Sequence, residues 1–195
     1  MGGESVSPER TAFVSIDLQK GIAAMGRDLA PYKAGDVIKN AARLAEAFRK
    51  RGALVVLVNV NSKDGKDMLK VITDEQAWRN TGERPKDWAE LVPELNKQES
   101  DLLITKRQWG AFHGTELDLQ LRRRGIDTLV LCGISTNIGV ETTAREAYQH
   151  GYNTIVAIDA CSASDAQQHE SSAKFIFPRL GRVRKTDEIL AMLGQ

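Results

Sequence analysis

Thr128-Leu-Val-Leu-Cys-Gly-Ile-Ser-Thr-Asn-Ile-Gly-Val-Glu-Thr-Thr-Ala-Arg-Glu-Ala147 is the stretch that decides the fold. Leu129, Val130 and Leu131 read as a buried strand, Gly133 breaks the run, and Ser135, Thr136 and Asn137 offer helix-capping side chains. An amphipathic helix follows and stops at Gly151. A strand that feeds a helix N-terminus gathers unpaired backbone N–H groups and the positive end of the helix dipole at one point. Such a point can stabilise an anion or a developing oxyanion.

Outward from this stretch, strand-like and helix-like runs alternate. Thr11 to Ile16 is the expected first strand and leads into Asp17-Leu-Gln-Lys-Gly21. Asp36 to Arg51 has apolar residues at helical spacing, with Asp36 as expected N-cap and Gly52 as stop. Leu54 to Val60 is almost continuously apolar, as in a strand covered on both faces. Leu102 to Thr105, Leu129 to Cys132 and Asn153 to Ile158 supply further strands, and Arg182 to Lys185 an edge strand. Helices are expected over Glu116 to Arg124, over Asp165 to Phe177, and from a capping Thr186 through Leu193. This alternation predicts an α/β fold with helices on both faces of a parallel sheet of about six strands. Asn61 to Ser100, polar and holding Pro85 and Pro93, reads as a long insertion over the C-terminal edge of the sheet.

At 195 residues the chain suits one domain, residues 1–195. A net charge of +1 argues against a nucleic-acid partner, and no apolar run approaches the roughly 20 residues that span a bilayer. The N-terminus lacks the basic and apolar regions of a secretion signal, and Cys132 and Cys161 match no metal or redox spacing. The expectation is a reduced, cytoplasmic protein acting on a small molecule without a cofactor. The glycine-rich dinucleotide and phosphate-loop patterns are absent.

Taken alone, Asp17 is a turn or cap residue at a strand end, and Lys106 is a solvated lysine. A glycine at 139 is tolerated in a first helical turn and permits close backbone approach. Cys132 and Cys161 read as small buried hydrophobes. His150 at a helix end suits a contact with the dipole, and His169 a structural role.

Together these positions resemble the isochorismatase-like hydrolases, whose turn has the form Gly-(Ile or Val)-x-Thr-Asn-x-Cys-Val-Glu-x-Thr-Ala-Arg. The resemblance runs from Phe13 to the Arg182-Val-Arg tail. It implies a three-layer α/β/α sandwich with Asp17 as the catalytic Asp and Lys106 as the essential Lys. The spacing of Phe112, Gly114 and Thr115 after Lys106 fits the family's loop. The usual nucleophilic Cys is replaced by Gly139. The backbone amides of Ser135 and Gly139 correspond to the family's oxyanion hole, and its cis peptide to Ile134–Ser135. Gln19, in an Asp-x-Gln pattern, matches a local organiser and is assigned with Trp109 and His113 to substrate binding. No metal site is implied, because Val58-Asn-Val-Asn-Ser62 lacks the Asp-x-His pair of the metal-binding members.

An Asp and a Lys about 4 Å apart attract by about 4 kcal/mol at an effective dielectric of about 20, enough to tune proton transfer. The family's isochorismatases also carry Gly at this position. In them the Asp protonates a vinyl ether and water completes the hydrolysis. The expected function is therefore hydrolysis without a Cys nucleophile, of isochorismate or a related small molecule. Two alternatives stay open: an amide hydrolase with another nucleophile, and a non-catalytic binding protein that keeps the pocket. Basic partners for a carboxylate substrate are Arg79, Arg84 and Arg107. Trp78 and Trp88, in the long insertion, are expected to be exposed and to mark a homo-oligomer interface.

Overall fold

The structure, a computed structural model, describes residues 4–26, 28–69, 71–74 and 84–194. Its centre is a sheet of β1 (Thr11–Ile16), β2 (Leu54–Val60), β3 (Leu102–Lys106), β4 (Thr128–Ile134), β5 (Asn153–Ser162) and β6 (Arg182–Arg184). The strand order is β3-β2-β1-β4-β5-β6, and every neighbouring pair is parallel. β1 is buried along its whole length, which is why it alternates so little between apolar and polar residues.

The helices are α1 (Ala34–Lys50), α2 (Leu117–Arg123), α3 (Glu141–Gln149), α4 (Ala166–Ser171), α5 (Phe177–Leu180) and α6 (Thr186–Leu193). From β1 the chain passes through α1 to β2, and from β4 through α3 to β5, in opposite directions across the sheet. Right-handed crossovers that run in opposite directions put α1 and α3 on opposite faces, giving the expected sandwich. α1 buries Val37, Ile38, Ala41, Leu44, Ala45 and Phe48, its predicted apolar stripe. The direction of winding reverses between β1 and β4. In open sheets of this kind the crevice beyond the carboxyl ends of those strands is where ligands bind.

Two details of the β1–β4 seam follow from the sequence. Gly133 does not end its strand, as expected from the run alone, but sits inside β4 with φ 131°. A Cβ there would lie 2.0 Å from the carbonyl oxygen of Ile16, so only glycine lets the two strands approach this closely. The helix beyond β4 opens with a wide, π-type turn, Thr136–Val140, before α3. The expected side-chain cap at Ser135 is not made. Thr136 Oγ1 instead bonds His169 Nδ1 at 2.8 Å, which ties the turn to α4.

Other caps shift similarly. Asp36 lies inside the first turn of α1, behind Lys33, and Lys185 rather than Thr186 precedes α6. The backbone N–H and hydroxyl of Thr186 donate to Asp159 instead, at 2.7 and 2.8 Å. The second part of the long insertion runs along residues 18–22, with bonds from Val92 N to Leu18 O and from Lys20 N to Glu90 O. Trp88, expected at the surface, is buried over Gly21, where the missing side chain leaves room for the indole. Trp78 lies outside the described residues.

Candidate active site

Asp17 follows β1, Lys106 closes β3, and the Ile134–Ser135 peptide, which is cis, closes β4. Because all strands run the same way, the three ends meet at one edge. β2 separates β3 from β1, a span of about 10 Å, so only a long side chain on β3 can reach Asp17. Lys106 does so: its Nζ lies 2.7 Å from Asp17 Oδ2 and donates also to the carbonyl of Gln108 at 3.0 Å. Both residues are buried, Asp17 at 5% and Lys106 at 2% exposure.

Asp17 adopts φ 56°, a left-handed conformation for a non-glycine residue, with its N–H bonded to Val58 O. Its second oxygen, Oδ1, is buried without a hydrogen-bond partner among the described residues. Burial pushes the carboxyl up from 3.8 to about 6, against the opposing pull of the Lys106 ammonium. A carboxyl so placed exchanges protons near neutral pH.

Gly139 lies against this pair. A Cβ at Gly139 would stand 3.2 Å from Asp17 Oδ2, 3.0 Å from Ile16 Cγ2 and 3.5 Å from the carbonyl oxygen of Trp109. A side chain at 139 would therefore project onto the carboxylate. Ser135, half-buried, precedes the turn that carries Gly139, so both backbone amides belong to the first turn of the helical segment.

The residues expected to bind substrate separate. Gln19 is fully buried, and its side-chain amide is consumed by backbone: Nε2 donates to Val60 O and Trp88 O, and Oε1 accepts from Val60 N. It organises the strand end and the insertion and has no donor left for a ligand, a correction to its substrate-binding assignment. Trp109 is 52% exposed, and its carbonyl oxygen faces the position of a Gly139 side chain. His113 is exposed, with its carbonyl accepting from Gln108 Nε2.

Of the expected basic partners, Arg107 is engaged by Asp67 at 2.6 Å, Arg84 lies over the Trp88 ring, and Arg79 falls outside the described residues. Burial drives the Cys132 thiol well above its ordinary range and Cys161 up to about 12, as in inert core thiols.

Two buried polar contacts have partners that the sequence does not show. One is the Thr136–His169 pair, where burial lowers the imidazole's proton affinity. The other is Thr143, whose hydroxyl donates to Gly139 O at 2.7 Å and accepts from Ala111 N at 3.2 Å. The four-residue spacing from Gly139 to Thr143 is a readable signal, because a helical Thr at that separation can bond back to the carbonyl.

The model of the isochorismatase domain matches residues 11–188, nearly the whole chain. The isochorismatase family protein YwoC of Bacillus subtilis (strain 168) is 54% identical over 93% of both chains. YecD of Escherichia coli O157:H7, described in the same terms, is 48% identical over 96% of this chain and 98% of its own. Among solved structures, an isochorismatase family protein from Burkholderia thailandensis superposes with a TM-score of 0.92 at 42% identity, covering 100% of each chain. The sheet, the strand-end geometry and these likenesses lead to one conclusion: the chain belongs to the isochorismatase family of hydrolases.

Proposed function

We propose that this protein hydrolyses an enol ether, isochorismate or a related small molecule, by proton transfer from Asp17 and without a protein nucleophile. The observation that carries the reading is the unpartnered Oδ1 of Asp17, on a carboxyl that holds its proton up to about pH 6. Lys106 occupies Oδ2 and so leaves Oδ1 as the oxygen that presents the proton.

Asp17 gives this proton to the terminal CH2 carbon of the enol ether. The double-bond electron pair forms the new C–H bond and leaves an oxocarbenium at the ether carbon. Water adds there and returns a proton to the Asp17 carboxylate. Collapse of the hemiketal breaks the C–O bond as its hydroxyl proton passes to the leaving ether oxygen, giving pyruvate and the alcohol. The Ser135 and Gly139 amides serve the leaving oxygen, where negative charge develops as the hemiketal C–O bond breaks. Trp109 walls the opening. We place the protein in the cytoplasm as a single domain, and as a homo-oligomer on the exposed apolar side chains of Leu69, Val71, Ile72 and Trp109.

The test is pyruvate release from isochorismate. Wild type is expected to turn over, and Asp17→Asn to lose about 10²- to 10⁴-fold in kcat. Turnover by Asp17→Asn at the wild-type rate would overturn the mechanism, and no pyruvate from the wild type would overturn the substrate.

A further inference from the structure

The loop after β3 carries two atoms of the site: Gln108 O, which accepts from Lys106 Nζ, and Trp109 O, which faces the position of a Gly139 side chain. From β3 the loop is held at Gln108 by Lys106. Further along, α3 holds it at Ala111 and Phe112, through two side chains one helical turn apart. Thr143 is fully buried and bridges Gly139 O, on its own helix, to Ala111 N in the loop. Glu146, half-buried, accepts from Phe112 N at 3.0 Å. Its carboxylate also fills the space over Gly110, where a Cβ would lie 2.2 to 2.5 Å away. The helix that presents Gly139 thus grips the loop that positions Lys106.

We propose that Thr143 is a positioning residue, seconded by Glu146, that fixes the distance between the Gly139 turn and the Gln108–Trp109 carbonyls and so keeps water from the Asp17–Lys106 pair. A hydroxyl is required because a single atom must donate to one carbonyl and accept from one amide; a methyl in its place would leave the Ala111 amide without its acceptor in a dry seam. With the seam intact, Asp17 stays desolvated, the condition that raises its proton affinity. The inference rests on the reading of Asp17 as the working acid, but it can be tested without a substrate.

The experiment is a pH titration of Asp17 by 13C NMR in protein labelled at the Asp carboxyl carbon, with the resonance assigned from Asp17→Asn. In wild type the midpoint is expected near 6. Thr143→Val, nearly the same shape without the hydroxyl, is expected to lower it by about 0.5 or more as water enters, and Thr143→Ser to restore it. Glu146→Ala, at a half-exposed position, gives a second reading in the same direction should Thr143→Val not fold. A wild-type midpoint in folded Thr143→Val, or in Glu146→Ala if only that variant folds, overturns the proposal. Equal shifts in Thr143→Val and Thr143→Ser overturn it too, since the hydroxyl would then not be responsible. Loss of pyruvate release in these variants adds a second readout. If Asp17→Asn keeps wild-type turnover while the midpoints move as expected, the mechanism falls and the positioning role stands.

Discussion

The proton affinity of Asp17 makes a prediction about stability that is separate from catalysis. Its carboxyl is raised from 3.8 to about 6 in the folded protein, with burial the dominant cause. The unfolded chain releases this proton near 3.8, so between about pH 4 and 6 the folded state binds more protons than the unfolded one. Stability from this group is therefore fully present below about pH 4 and is lost as pH rises through about 6. A difference of about 2 pH units corresponds to about 3 kcal/mol. Asp67, held down to about 2 by hydrogen bonds from Ser62 and the Lys63 backbone, acts in the opposite sense, losing its contribution only as pH falls toward 2. The two windows barely overlap.

The assay is urea unfolding of wild type and Asp17→Asn at intervals from pH 4 to 7.5. Subtracting the variant's curve removes every group the two proteins share. The stability of wild type relative to Asp17→Asn should fall by about 3 kcal/mol across that range, most steeply between pH 4 and 6. With isochorismate as substrate, kcat/KM should fall about tenfold per pH unit above 6, since only the protonated carboxyl is the acid. A difference curve that is flat, or that rises with pH, would refute the argument. It would mean that the Lys106 ammonium outweighs burial and keeps Asp17 ionised.

Three further outcomes are expected. Gly139→Cys places a thiol against Asp17 and Lys106 at the start of the helical segment, and it should react with iodoacetamide faster than Cys132 or Cys161; reaction no faster than Cys132, with titration near about 8.5, would count against an activating site, and the wild-type activity should survive the reagent. Gly133→Ala forces a Cβ to 2.0 Å from Ile16 O at a positive φ, and urea unfolding should show a loss of about 3 kcal/mol or more, or no folded protein; a loss under about 1 kcal/mol would refute the close-approach argument. Sedimentation at micromolar concentration should show a homo-oligomer, and the mass of a single chain would refute it.

The fold was legible where burial is two-sided. β1 and β2 run over the residues expected, because an apolar run covered on both faces has no competing reading. It was less legible where polar residues take tertiary partners. β5 continues past Ile158 to Ser162, through Asp159 and Ser162, whose polarity resembles a strand end. In the structure Asp159 receives Thr186, and Ser162 donates to Tyr32 O. The helix expected to stop before Pro178 instead passes into a π-type turn, Ser172–Ile176, and continues as α5. Proline withholds an N–H, and a widened turn lets the helix go on without it. Trp88 was misread because its cover is the missing side chain of Gly21, far off in sequence and carrying no periodic signal.

The candidate site divides in the same way. Asp17, Lys106 and Gly139 could be picked out because the resemblance fixes them at strand ends, and a parallel sheet gathers its strand ends at one edge. The environment that gives them chemistry could not be read. Whether Arg107 serves a substrate or Asp67 depends on a loop conformation, and it is Asp67 that holds it. Whether Gln19 meets a ligand depends on the path of the insertion, whose Trp88 carbonyl takes one of its two donors. The proton affinity of Asp17 depends on how dry the seam between β1, the Gly139 turn and the Trp109 loop is. That seam is closed by the hydroxyl of Thr143, a residue whose type is common at helix surfaces and whose burial only the packed structure reveals. Position along the chain picks out the candidate groups, and the enclosure around them belongs to contacts between α3 and a loop some thirty residues before it.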